Sequence, residues 1–198
     1  MDQDTWRERI LHRSDLTGRL THLTKGVDNN AAFERLWKIL QDKKLIAGSG
    51  FVIGNQKVVC FQETPLEALE ENLFFEKQYN GGVRYSPFGL RFNKGILYQT
   101  GARPVMYGNE EELRNLLPKS AHWRIVKLDL ASPDAIVDWT HEREWRHLGD
   151  LGFEYGQIEI IVADHDFYKK FVHRCLDEKR EDILTGINGI IPLYSIVG

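Results

Sequence analysis

The chain has little of what marks disulfide-rich, membrane-spanning or nucleic-acid-coating proteins. Its 198 residues include two cysteines and no run of eighteen apolar residues. The low cysteine count excludes a disulfide framework, and the lack of a long apolar run predicts that no transmembrane helix is present. The formal charge of −3 argues against a broad basic surface that coats DNA or RNA. Residues 1–9 lack the basic-then-apolar order of a secretory signal, so we expect a cytoplasmic protein.

Several common nucleotide and metal motifs are also missing. Gly48-Ser-Gly50 has neither the spacing nor the lysine of a phosphate-binding loop. No His-Glu-x-x-His element occurs, and Cys60 and Cys175 are too far apart to build a zinc pattern. We interpret both cysteines as buried free thiols, and we expect no metal cofactor.

What is present indicates one compact α+β domain. A hydrophobic content of 42% is enough for a full core, and no internal repeat is visible. Residues 1–18 carry mixed charge and predict a helical arm that precedes a single domain of residues 19–198. Because strands and helices do not alternate regularly, a doubly wound parallel sheet is excluded.

Hydrophobic spacing places the main elements. The predicted strands are residues 19–25, 57–62, 139–146 and 157–163. The predicted helices are residues 31–43, 64–79, 109–117 and 164–180. The apolar tail of residues 187–197 is expected to pack back on the sheet.

The most concentrated chemistry lies in residues 139–146, Trp-Thr-His-Glu-Arg-Glu-Trp-Arg. In an extended segment, side chains alternate between two faces. Such a strand presents carboxylates on one face, in a cleft walled by indole rings. The alternative is a solvated ion-pair ladder on an edge strand. The predicted cleft face is Thr140, Glu142, Glu144 and Arg146, and the flanking indoles are Trp139 and Trp145.

Two further positions are candidates for binding. His22 lies in the first strand and shares a face with Thr24, so both can point into one cleft. The alternative is a histidine at the edge of the core that is satisfied by a backbone carbonyl. Residues 85–91 can contact a nucleotide, with Tyr85 stacking on a ring and Arg91 on phosphate, or they can form a kinked core strand.

A family resemblance rests on four short motifs. His22-Leu-Thr24, residues 44–47, residues 58–65 and Glu142-Arg-Glu144 resemble the bacterial ADP-ribosyltransferase fold. The most similar members are DarT-like toxins and AbiGi-like abortive-infection proteins. The resemblance implies a split mixed or antiparallel sheet with peripheral helices, and it implies NAD as co-substrate.

The resemblance also implies residue roles. His22, with Thr24 beside it, would anchor a ribose of NAD, and Glu144 would be the catalytic glutamate. The second motif would pack against the nicotinamide, with Phe61 in contact with the cofactor. Its aromatic position is not fixed, and the candidates are Tyr85, Tyr98 and Tyr107. Residues 103–107 are similar to an Arg-Asn-Pro-Met-hydrophobic-Tyr element, which would give Arg103 a catalytic or phosphate-binding role.

The residue types suit that chemistry. Cleavage of the nicotinamide–ribose bond develops positive charge on the ribose, and a fixed carboxylate stabilises it. Glu142 can orient or deprotonate the acceptor, or it can simply pair with Arg146. The acceptor can be a nucleic acid or a protein. A local basic groove for it can be formed by Arg84, Arg91, Lys94 and Arg103.

We therefore expect an NAD-dependent ADP-ribosyltransferase of a phage-defence or toxin–antitoxin system, with a cognate antitoxin or defence partner. Two alternatives remain open. One is a non-catalytic binding module or antitoxin-like protein of the same fold. The other is an NAD-independent ribonuclease in which His22 and Glu144 act as acid and base.

Overall fold

A computed structural model describes residues 1–50, 52–79, 84–131 and 134–195, without the side chains of residues 77–79. These residues form a compact α+β domain built on a mixed sheet, as predicted. Its helices are α1 (Gln3–Leu11), α2 (Asn29–Asp42), α3 (Leu66–Tyr79), α4 (Lys94–Gln99), α5 (Glu110–Leu116), α6 (His165–Asp177) and α7 (Glu181–Gly186). Its strands are β1 (Arg19–Leu23), β2 (Lys44–Leu45), β3 (Val58–Gln62), β4 (Gly89–Asn93), β5 (Arg103–Pro104), β6 (Met106–Gly108), β7 (Ile125–Lys127), β8 (Glu144–Leu148), β9 (Leu151–Gly152), β10 (Ile158–Val162) and β11 (Ile190–Pro192).

The largest sheet has seven strands in the order β11-β10-β4-β1-β3-β8-β5. All of its neighbours are antiparallel except β10 and β11, which are parallel. Two small sheets, β2 with β9 and β6 with β7, lie beside it. The three strands β1, β3 and β8 are therefore consecutive neighbours near the middle of the main sheet.

The sheet separates between β1 and β3. β1 pairs with β4 along its whole length, and a Cβ added at Gly89 of β4 would lie 2.1 Å from the carbonyl oxygen of His22. On its other side, β1 aligns with β3 at one position only, Thr21 opposite Gln62. Beyond that position, a side chain takes the place of a ladder hydrogen bond, because His22 Nδ1 lies 2.9 Å from the carbonyl oxygen of Cys60.

One face of the sheet carries the main core. Helix α2 begins at the cap residue Asp28, whose carboxylate accepts from the backbone N–H of Ala31 at 2.7 Å. Its apolar stripe packs with α6 against this face of the sheet. On the other face, α3 covers a smaller cluster. The fully buried aromatic rings are Phe33, Phe61, Phe88, Phe92 and Phe171.

Most of the predicted elements are confirmed. The strands predicted at residues 19–25, 57–62 and 157–163 correspond to β1, β3 and β10, and the four predicted helices correspond to α2, α3, α5 and α6. The predicted packing of the tail is confirmed by β11, which pairs with β10. Residues 196 and 197 of that tail lie outside the described residues. Of the predicted N-terminal arm, residues 3–11 form α1, which has no buried residue.

The prediction of one continuous strand over residues 139–146 is wrong. Thr140–Glu142 form a 3₁₀ turn, and β8 begins only at Glu144. The side chain of Asp138 accepts from the backbone N–H and the hydroxyl of Thr140, which favours a turn over an extended chain. Arg143 then adopts a left-handed conformation with φ of 45°. The two glutamates therefore belong to different elements.

Candidate functional site

A cleft of about 380 Å³ opens beside the start of β8. Small-molecule sites commonly have volumes of about 300 to 1,000 Å³. The cleft combines carboxylates and guanidinium groups with apolar walls, so it is the strongest candidate site among the described residues. Its lining includes Arg84, Ile125, Trp139, Glu142, Glu144 and Arg146.

Glu144 and Arg146 form a bidentate ion pair on β8. They lie two residues apart on a strand, so their side chains share a face. Arg146 Nε donates to Glu144 Oε1 at 2.7 Å, and Nη2 donates to Oε2 at 3.2 Å. The two side chains are 11% and 5% exposed, respectively, so this pair is shielded from solvent. A paired arrangement of this kind fixes both the position and the plane of the carboxylate.

The protein backbone holds the remaining side of this guanidinium. Arg146 Nη1 donates to the carbonyl oxygen of Trp123 at 2.6 Å and to that of Ile125 at 3.3 Å. The backbone of Glu144 is anchored too, because its N–H donates to the hydroxyl of Tyr107 at 2.8 Å. Burial raises the pKa of Tyr107 to about 12, so its hydroxyl stays protonated. Tyr107 thus holds the strand at Glu144.

Glu142 has a different environment. Its side chain is 9% exposed, and burial raises its pKa to about 7. Arg84 partly opposes that shift, since its Nη1 lies 3.2 Å from Glu142 Oε1 without hydrogen-bond geometry. The Arg84 guanidinium also stacks 4.0 Å from the ring centre of Trp139. Glu142 is therefore a carboxyl group that changes its charge near neutral pH.

Cys60 lies beside these charges without being activated by them. It is aligned with Arg146 across β3 and β8. Burial, together with the charge of Glu144, raises the pKa of the thiol above its usual range. A thiol of this kind is a poor nucleophile near neutral pH. Cys60 and Cys175 are both free, as predicted, although Cys60 is only partly buried.

The structure places His22 on the opposite face of the sheet from Glu144. Glu144 is aligned with Gln62, and Gln62 with Thr21, so these three share a face. His22 follows Thr21 and points the other way, where its ring lies 5.9 Å from that of Phe61. His22 and Glu144 nevertheless both border a narrow cavity of about 50 Å³ where β1 and β3 separate.

The contacts of His22 correspond to the alternative of a histidine satisfied by the backbone. Burial lowers the pKa of His22, so the imidazole is neutral near pH 7. Because the Cys60 carbonyl can only accept, Nδ1 is the protonated nitrogen and donates to it. Nε2 is therefore left as a hydrogen-bond acceptor. A sugar hydroxyl is the kind of group that it can bind.

The other predicted members of the NAD-binding set lie outside the cleft of about 380 Å³. Thr24 donates its hydroxyl to the carbonyl of Phe88 at 3.1 Å, and it borders with His22 a separate cleft of about 430 Å³ beside α2. Phe61 is 1% exposed and belongs to the main core. Phe61 and Tyr85 both border the narrow cavity of about 50 Å³ that His22 and Glu144 also line. The structure does not bring these side chains into the cleft of Glu144.

The four cations suggested for a basic groove all contact acceptor groups of the protein itself. Arg84 pairs with Glu142, and Lys94 pairs with Glu63. Two others are also engaged by partners of their own. Arg91 donates to Glu159 at 3.0 Å, and Arg103 donates to the carbonyls of Tyr98 and Ala102, both at 2.7 Å. Arg103 also stacks 4.0 Å from the ring centre of Tyr98, and it does not line the cleft of Glu144.

The cleft also has features that the sequence analysis missed. Trp139 forms a wall as expected, but Trp145 faces the core side and donates its Nε1–H to Glu63 at 2.7 Å. Arg146 pairs with Glu144 and not with Glu142; the two-residue spacing on a strand was an available signal for that pair. No local signal connects Arg84 to Glu142, since 58 positions separate them.

Comparisons with known proteins gave no match to a family model, a curated protein or a solved structure. Within the described ranges, no helix has the length and hydropathy needed to cross a membrane. The same residues contain no group of three or more His, Cys, Asp and Glu side chains arranged to hold a metal ion. The geometry of the cleft is therefore the basis for assigning a function.

Proposed function

We propose that the chain is an NAD-dependent ADP-ribosyltransferase of the bacterial toxin and phage-defence type, with the reaction centred on Glu144. The observation that carries this proposal is the fixed carboxylate of Glu144 in a cleft walled by Trp139 and by aliphatic side chains. A carboxylate held in this way stabilises positive charge that develops on a ribose as its bond to nicotinamide breaks.

Glu142 supplies a second function in the proposed reaction. The electron pair of the breaking C–N bond leaves with nicotinamide, and the acceptor oxygen or nitrogen then bonds to the ribose carbon. That acceptor must lose a proton. With a pKa of about 7, Glu142 can take the proton near neutral pH.

The sheet gives this proposal further support. The motif positions His22, Phe61 and Glu144 lie on consecutive strands, β1, β3 and β8. The sheet also separates between β1 and β3, as the split sheet of the resemblance leads one to expect. The acceptor of ADP-ribose would be a nucleic acid or a protein. The chain itself would have an antitoxin or another defence-system protein as its cognate partner.

A specific observation favours a second candidate, a non-catalytic binding module of the same fold. The carboxylate of Glu144 is already paired with Arg146 on both oxygens. An ion pair of this kind is also common in purely structural roles. The NAD-independent ribonuclease has less support, because His22 and Glu144 lie on opposite faces of the sheet.

The experiment that tests the proposal measures nicotinamide release and ADP-ribose transfer from labelled NAD to macromolecules of a bacterial lysate. The variant is Glu144→Gln, and the control is Glu112→Gln, an exposed carboxylate on α5. We expect Glu144→Gln to lose about 10²-fold or more in rate. The control should retain the wild-type rate.

Three outcomes are distinguishable. Equal rates in the wild type and Glu144→Gln would contradict the assignment. No nicotinamide release by any protein, together with tight retention of one macromolecule, would favour the binding module. RNA cleavage without NAD would favour the ribonuclease.

A further inference from the structure

We infer that Arg146 is the positioning residue of Glu144: its guanidinium fixes the carboxylate plane so that a free lone pair is directed at a substrate hydroxyl. This inference deepens the proposed function and rests on it for its kinetic consequence. Its geometric content stands on the contacts of Arg146 alone.

The contacts of Arg146 form a clamp that holds the Glu144 carboxylate. Nε and Nη2 of Arg146 hold the two oxygens of Glu144, and Nη1 is held by the carbonyls of Trp123 and Ile125. The guanidinium is therefore anchored on two sides, and the Arg146 side chain is 5% exposed. Because the group is planar and rigid, fixing it also fixes the plane of the carboxylate that it binds.

Arg146 does not occupy every lone pair of the Glu144 carboxylate. An ionised carboxylate offers about four lone-pair sites, and a bidentate arginine occupies one on each oxygen. The Cys60 thiol also hydrogen-bonds to this carboxylate and takes up one of the two remaining sites. The other site can accept from a ligand hydroxyl. Glu144 lines the cleft and keeps 11% of its side chain exposed, so a ligand can reach it. The clamp therefore orients the carboxylate without consuming it.

The neighbouring cation, Arg84, does not orient Glu144. Arg84, which also lines the cleft, pairs with Glu142 and stacks on Trp139. Lysine at position 146 would offer a single ammonium group in place of a planar fork. Guanidinium geometry at position 146 is thus the property that fixes Glu144.

The test compares Arg146→Lys and Arg146→Ala with the wild type. The matched control is Arg19→Lys, which removes another sheet arginine paired with a strand glutamate, Glu159, outside the cleft. Circular dichroism and thermal melting first identify the folded variants. We expect kcat for nicotinamide release to fall about 10²-fold in Arg146→Lys, the scale of a catalytic group displaced by about 1 Å.

The KM for NAD should stay within about twofold, because the clamp orients a reacting group and does not supply general binding. Added guanidinium chloride at low millimolar concentration should restore part of the rate of Arg146→Ala and should not affect Arg19→Lys. An increase in KM with unchanged kcat, or an unchanged rate in Arg146→Lys, would overturn the inference.

A crystal structure of Arg146→Lys separates this inference from the proposed function. We expect the Glu144 carboxylate to rotate or to occupy several conformers. If it keeps its wild-type orientation, Arg146 does not position it, whether or not the protein acts on NAD. If the carboxylate moves but the wild type releases no nicotinamide, the positioning role stands and the proposed function fails.

Discussion

Glu142 and Glu144 are two residues apart in the chain, yet the turn that carries one and the strand that carries the other give them opposite properties. Glu144, on β8, is held on both oxygens by the buried Arg146. Glu142, on the preceding 3₁₀ turn, is paired loosely with Arg84, whose side chain is 36% exposed. Burial raises the pKa of Glu142 to about 7, because the opposing effect of Arg84 is smaller.

The difference shows that environment, and not residue type or spacing, distinguishes the two carboxylates. A firmly paired carboxylate suits a fixed negative charge, and a carboxyl group that titrates near neutral pH suits proton transfer. The proposed reaction needs one of each.

The largest expected effect follows from removing each cation in turn. Arg146→Met leaves the Glu144 charge buried without its partner, and we expect the free energy of unfolding to fall by about 3 to 5 kcal/mol. Arg84→Met should cost about 1 kcal/mol or less, because its ion pair is partly exposed. Urea unfolding at pH 8, above the pKa of Glu142, measures both losses. Equal losses in the two variants would remove the distinction between the two pairs.

A second effect is the pH dependence of stability. The pKa of Glu142 is about 7 in the folded protein, above its ordinary value of 4.5, so the folded state keeps a proton that the unfolded state loses. The stabilisation of the folded state by this bound proton is fully present below pH 4.5, and it is lost as pH rises through 7. Relative to Glu142→Gln, the wild type should lose about 3 kcal/mol across that window. Parallel stability curves for the two proteins, measured by urea unfolding, would contradict this expectation.

The smallest effect concerns Arg84 and Trp139. Arg84→Gln removes a positive charge that lowers the pKa of Glu142, so the titration of Glu142 should move above pH 7. Trp139→Leu should cost about 0.5 to 1 kcal/mol from the lost cation–π contact and should shift the titration less. Carbon-13 NMR of the glutamate carboxyl groups measures both shifts. A downward shift in Arg84→Gln would show that Arg84 does not act on Glu142.

Local periodicity was enough to predict much of the fold. The alternation in residues 19–25 and the apolar run in residues 57–62 indicated β1 and β3, and the spacing of residues 31–43 indicated α2. These signals depend on residues close in sequence. The α+β class follows from their order.

Long-range register and unsignalled turns limited the prediction of the site. His22 and Thr24 share a face, as alternation requires, but only the pairing of Thr21 with Gln62 determines that this face is opposite that of Glu144. The turn at residues 140–142 needs Arg143 in a left-handed conformation, which its residue type does not indicate. The spacing of Asp138 and Thr140, which allows the hydrogen bond between their side chains, was the one local signal for a turn.

The most direct test of the division between the two glutamates is a carbon-13 NMR titration of the wild type, Glu142→Gln and Glu144→Gln. We predict one glutamate carboxyl with a midpoint near pH 7 in the wild type, and its loss in Glu142→Gln. It should persist in Glu144→Gln with a lower midpoint, because the charge of Glu144 raises the pKa of Glu142. No midpoint near 7 in the wild type, or a midpoint that survives in Glu142→Gln and disappears in Glu144→Gln, would contradict the account.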